Sequence, residues 1–99
     1  MPYIKENART FLDGCILSMI RCLTDGNELT DEEFLAISGE INYAFSRVLA
    51  NCAGNISYKK IVVATGVLEN IKQEFYRRVA SPYEDQKIVE NGDIKEYRK

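Results

Sequence analysis

Apolar residues recur at alternating steps of three and four along three stretches of this 99-residue chain, and that spacing commits most of it to α-helix. In the first stretch, Ala8, Phe11, Leu12, Cys15, Ile16, Met19, Ile20 and Leu23 share one face. In the second, Phe34, Ile37, Ile41, Phe45, Val48, Leu49 and Cys52 do so. In the third, Ile61, Ala64, Leu68, Ile71, Phe75 and Val79 form the stripe. A strand would need a period of two, and no segment has it.

Start and stop signals set the expected boundaries. Asn7 is a plausible cap, and Asp25-Gly26-Asn27 is a stop, which predicts a helix over 7–24. Thr30-Asp31-Glu32-Glu33 spells a capping box: Thr30 serves the Glu33 amide and Glu33 reaches back to Thr30. Leu29 and Phe34 flank it as a hydrophobic staple. Gly54-Asn55 closes this helix, predicted over 30–53. Ser57 opens a third, over 57–80. Pro82 opposes its continuation, and Ser81-Pro82-Tyr83-Glu84 has the order of a new start. A short helix over about 82–90, stopped by Asn91-Gly92, is therefore expected.

The fold expected from these elements is all-α: three main helices and a short C-terminal one in a compact, oligomeric bundle. The length suits a single domain over 1–99, with 93–99 as a polar tail that frays or pairs with Tyr3-Ile4-Lys5. Val62, Val63 and Val67 make the third helix apolar on a second side, so it is either central in the fold or shared with another subunit, and an oligomer is expected.

Composition narrows the function classes. At 45% hydrophobic and 28% charged residues the chain is an ordinary globular sequence. It contains no histidine, so Ser-His-Asp and Cys-His catalysis are excluded, as are the usual histidine metal sites. Cys15, Cys22 and Cys52 are three in number with no C-x-x-C pair, which argues against a disulfide framework and a zinc knuckle. No apolar run approaches the ~20 residues of a membrane span, and the N-terminus lacks the pattern of a signal peptide. A cytoplasmic protein is expected.

Charge is unevenly spread. The net charge is −2, yet residues 57–80 carry five basic and two acidic groups. This +3 segment lies in a chain that is otherwise −5, which leaves room for a local anion site but not for general nucleic-acid coating. The acidic residues Asp31, Glu32, Glu33 and Glu40 fall short of a Mg²⁺ motif. The E-E-x-x-E pattern lacks its third acid, and Glu69 and Glu74 are five apart. Their plain role is to favour the positive end of the helix dipole. Neither a metal nor a cofactor is expected.

The candidate ligand-binding residues are Tyr76, Arg77, Arg78 and Tyr83, with Tyr43 from Gly39-Glu40-Ile41-Asn42-Tyr43. Arginine forks match phosphate or carboxylate, and tyrosine faces stack on bases. The competing reading is a structural lock. Glu74 and Arg78 are four apart and fit an ion pair, and Arg77 fits one with Glu84 or Asp85. Lys59 and Lys60 stand about 25 Å along the helix from the arginines and reach the same site only through another subunit. Gly39, mid-helix, reads either as a close approach by another backbone or as a tolerated surface glycine.

Several of these residues also carry a resemblance. They are Met1-Pro2-Tyr3-Ile4-Lys5, Gly39-Glu40-x-Asn42-Tyr43, Ser57-Tyr58 and Gly66-Val67-Leu68-Glu69. Glu74-Phe75-Tyr76-Arg77-Arg78-Val79-Ala80, Pro82-Tyr83-Glu84-Asp85, Lys87-Ile88 and Glu90-Asn91-Gly92-Asp93 continue it. Together they resemble a family of short, uncharacterised proteins found in phage and prophage genomes. The resemblance implies a phage accessory protein in the host cytoplasm, without an activity to transfer. The expected function is non-enzymatic binding. The sharper form is counter-defence by sequestering a small anionic nucleotide signal. The rival form is inhibition of, or adaptation to, a host protein.

Overall fold

A computed structural model describes residues 3–98, so Met1, Pro2 and Lys99, at the ends of the Met1–Lys5 motif and of the 93–99 tail, lie outside it. The described residues are helical with short connections and contain no strand. In chain order the α-helices are α1 (Arg9–Thr24), α2 (Asp31–Ala36), α3 (Ser38–Ala53), α4 (Tyr58–Phe75) and α5 (Ser81–Asn91). None of them is long and apolar enough to cross a membrane. The chain divides into two compact units, Tyr3–Ala64 and the part from Thr65 on.

Most boundaries follow local chemistry. A 3-10 turn, Glu6–Ala8, precedes α1, so Asn7 lies inside a turn and does not cap the helix. The Arg9 side chain ties this entry down by donating to the Ile4 carbonyl at 2.8 Å. Asp25 ends α1 in the left-handed conformation, φ 52°, one that aspartate tolerates better than most residues. The Thr30 capping box is complete: the Glu33 amide donates to Thr30 Oγ1 at 3.2 Å and the Thr30 amide donates to Glu33 Oε1 at 3.0 Å. At the start of α4, Ser57 Oγ accepts from the Lys60 amide at 3.2 Å. Gly54 stops α3 with φ 60° and ψ −130°, a conformation that only glycine adopts freely.

Two helices differ from expectation. The predicted 30–53 helix is broken at Ile37, whose φ −92° and ψ 4° lie in the bridge region. Ser38 Oγ donates to the Leu35 carbonyl at 2.8 Å, and Gly39 follows it. A Ser-Gly pair is a recognised cause of helix kinks, because the hydroxyl competes for a ladder carbonyl while glycine adds backbone freedom. A Cβ placed on Gly39 meets no atom within 4 Å, so the glycine belongs to this kink and not to a close backbone approach.

The second difference is at Pro82. The expected break after Ala80 is absent, and Ser81 is αR and caps nothing. Instead α4 passes through a π-helical turn, Tyr76–Ala80, directly into α5. The Ser81 amide donates to the Tyr76 carbonyl, five residues back. Proline has no N–H to give, and in a regular helix its ring strikes the carbonyl four residues earlier, here that of Arg78. The wider π turn moves that carbonyl aside, so the helix survives its proline.

No described side chain reaches full burial. The apolar stripes are present as predicted, and they remain open: Phe11, Ile16, Phe45, Leu68, Ile71 and Phe75 are all exposed. Within each unit the well-populated contacts join neighbours in sequence, α2 with α3 and the π turn with α5.

Candidate functional site

The residues singled out in the sequence fall in different places. Tyr43 lies on α3 in the first unit, and Tyr76, Arg77, Arg78 and Tyr83 lie in the second. Tyr76 and Arg77 line one open depression at the end of α4, together with Glu69, Asn70, Gln73 and Glu74. Neither Arg78 nor Tyr83 is part of that lining.

The lock expected between α4 and α5 is replaced by an ion pair that joins α4 to the π turn. Arg77, not Arg78, is the partner of Glu74. Its Nε donates to Glu74 Oε1 at 2.8 Å and its second nitrogen to Oε2 at 3.2 Å, a two-point fork three residues apart. The ion pairs to Glu84 or Asp85 do not form among the described residues. Arg78 stands one residue on, rotated about 100° from Arg77, and makes no ion pair among the described residues. Tyr83 carries a cation on its ring instead: Lys87 Nζ sits 5.5 Å from its centroid and also pairs with Glu90 at 3.0 Å.

On α3, sequence reasoning named Tyr43 and missed Arg47. The Arg47 guanidinium lies 6.0 Å from the centre of the Tyr43 ring. The i, i+4 spacing was the available signal. Both line a shallow depression with Met19, Val48, Asn51 and Cys52.

The Glu33 carboxyl is held below its ordinary range, first by the Thr30 amide and then by the Thr30 hydroxyl, both of which bond the charged form. The acidic cluster is thus helix-start chemistry at Glu33, and no group of three metal-ligating side chains gathers among the described residues. Lys60, a candidate for the anion site, has its ammonium 2.7 Å from the Ala53 carbonyl and 2.8 Å from that of Asn55. It caps the end of α3. The three cysteines are free and exposed.

A family model, described as a domain of unknown function (DUF6899), matches residues 1–94. The chain belongs to that family. No curated protein and no solved structure matches it. Family membership thus covers nearly the full chain and brings no chemistry with it.

Proposed function

We propose that this chain is a non-enzymatic helical binding protein of the phage-accessory kind, acting as an inhibitor or adaptor through contact with another protein. The observation that carries this reading is the second apolar side of α4. Val62, Val63 and Val67 stand outside the main stripe and are 51%, 60% and 44% exposed. Three valines on an exposed helix cost solubility without adding to a core, and such a patch marks an interaction surface. Lys59 flanks it, so an amphipathic helix with an acidic border fits the partner's side. The compact bundle anticipated from the stripes belongs to the assembled form in this reading.

The test compares the wild-type chain with Val63→Lys in affinity purification from the host. A protein retained only by the wild type, whose complex re-forms from purified components by calorimetry, supports the reading. Equal retention by both chains removes it.

A second reading, sequestration of a small anionic nucleotide signal, has one observation in its favour. Arg78 has no acidic partner among the described residues, and the rings of Tyr76 and Tyr83 are 60% and 61% exposed. Titration with cyclic dinucleotides and cyclic ADP-ribose species tests it. Heat with one of them, lost in Arg78→Ala, supports sequestration; no heat with any removes it.

A further inference from the structure

The end of α5 places an asparagine directly before a glycine that the fold demands. Gly92 stops the helix with φ 84° and ψ 153°, a region that residues with a side chain hardly enter. A Cβ there would also meet the Arg98 guanidinium at 3.2 Å. That arginine folds the tail back, its Nε donating to the Asp93 carbonyl at 3.1 Å. Asn91 and Gly92 are both exposed. Of the seven asparagines in the chain, no other precedes a glycine. Ala8, Glu28, Tyr43, Cys52, Ile56 and Ile71 follow the rest, and their side chains shield a nitrogen that glycine leaves open. One hydrogen bond guards the pair. The Gly92 amide donates to the Ile88 carbonyl at 2.8 Å, the bond that closes the last turn of α5. Terminal turns of helices open at little cost in free energy.

We infer that Asn91 is a site of spontaneous modification, deamidation through a succinimide, gated by the last turn of α5. Ring closure needs the Gly92 nitrogen released from Ile88 and Asn91 out of its helical backbone angle. When the turn opens, hydroxide takes the Gly92 N–H proton. The nitrogen attacks Asn91 Cγ, and the new C–N bond closes the succinimide ring. The bond from Cγ to the side-chain nitrogen breaks, and that nitrogen leaves as ammonia with a proton from water, which restores the hydroxide. A second water opens the ring at either carbonyl and gives aspartate or isoaspartate. No oxidation or reduction is involved. Both products place a carboxylate at the negative end of the α5 dipole, close in sequence to Glu90 and Asp93. Isoaspartate also lengthens the backbone path between residue 91 and Gly92, so the Gly92 amide loses its register with the Ile88 carbonyl. The Arg98 tie to Asp93 begins one residue beyond this break, and the modified chain releases its tail.

The experiment incubates the full chain at neutral pH and follows it over weeks by peptide mapping. The peptide that holds residue 91 is expected to gain about one dalton and to split into aspartyl and isoaspartyl forms, while the other asparagines keep their mass. Asp13-Gly14 and Asp25-Gly26 close the same ring without a change of mass, so the gain reports Asn91 and not these pairs. The reaction is expected to quicken with pH, because the attacking nitrogen is the deprotonated one. It is expected to run severalfold faster in urea, where the turn no longer holds the Gly92 amide. Asn91→Gln, whose longer side chain closes its ring far less readily, is expected to stay unmodified. A gain at residue 91 no greater than at Asn7 or Asn55 overturns the site. Equal rates with and without urea overturn the gate. Nitrogen NMR of the Arg98 side chain gives a separate measure of the consequence. Its Nε–H signal is expected to move to the position of a free arginine in the isoaspartyl chain, and an unmoved signal overturns the release of the tail.

Discussion

Arg77 holds Glu74 by both carboxylate oxygens, at 2.8 and 3.2 Å, across a single helical turn that leads into the π turn. The pair is unequal in exposure: Arg77 is 63% exposed and Glu74 only 15%. The carboxylate therefore depends on the guanidinium more than the reverse. Replacing Glu74 by glutamine is expected to weaken its hold on Arg77 and make the guanidinium more available to anions. If the end of α4 binds a nucleotide phosphate, Glu74→Gln tightens that binding in calorimetry, while Arg77→Ala leaves the Arg78 contribution in place. Weaker binding in Glu74→Gln contradicts this arrangement.

The capping box gives a pH-dependent prediction. Glu33 has its carboxyl pKa depressed in the folded chain by the Thr30 amide and hydroxyl. A depressed carboxyl pKa contributes stability that is fully present above the unfolded value and is lost as pH falls through the folded one. The start of α2 should loosen on acidification below the ordinary glutamate range. Thr30→Ala removes both the cap and part of the shift, at a cost of about 1 kcal/mol. Carboxyl-carbon NMR titration checks it: the Glu33 midpoint moves up in Thr30→Ala. An unmoved midpoint rules out the hydroxyl as a cause and leaves the backbone amide of residue 30.

The same box shows how much of the fold was legible in the sequence. Thr30, Glu33, Ser57, Gly54 and Gly92 act through neighbours three or four residues away, so their roles are written in local order. The kink at Ile37 and the passage through Pro82 are different. Each is a contest between two local rules, and the winner depends on small geometric adjustments: a Ser38 hydroxyl that takes a carbonyl, and a turn that widens by one residue. The candidate site was legible by residue type and not by pairing. Tyr76, Arg77 and Glu74 do share a depression, but Glu74 had two arginines within reach and took the one three residues away. Arg47 was missed because a cation over an aromatic ring leaves only a spacing in the sequence.

Lys60 is expected to matter for stability and not for anion binding. Its ammonium donates to the Ala53 and Asn55 carbonyls, while its own amide is capped by Ser57. It thus holds the end of one helix to the start of the next, and a cation there also suits the negative end of the α3 dipole. Lys60→Met should lower stability by about 0.5–1 kcal/mol, read as a lower melting temperature by circular dichroism. Lys59→Met, which spares these bonds, is expected to leave the melting temperature nearly unchanged. If the two variants melt alike, the corner does not depend on Lys60.

Pro82 is expected to be the cause of the π turn. Pro82→Ala supplies an N–H at residue 82 and removes the ring, so the Arg78 carbonyl can close an ordinary helical bond. The Ser81 amide then exchanges its bond to the Tyr76 carbonyl for one to Arg77, and the π turn becomes α-helix. This change has a directional consequence. Removing the extra residue from the turn rotates everything after it by about 100° relative to α4. Pro82→Ala should therefore gain α-helicity in the isolated chain. Hydrogen exchange checks this through a protected amide at position 82. A variant whose amide at position 82 exchanges freely shows that the π turn does not depend on the proline.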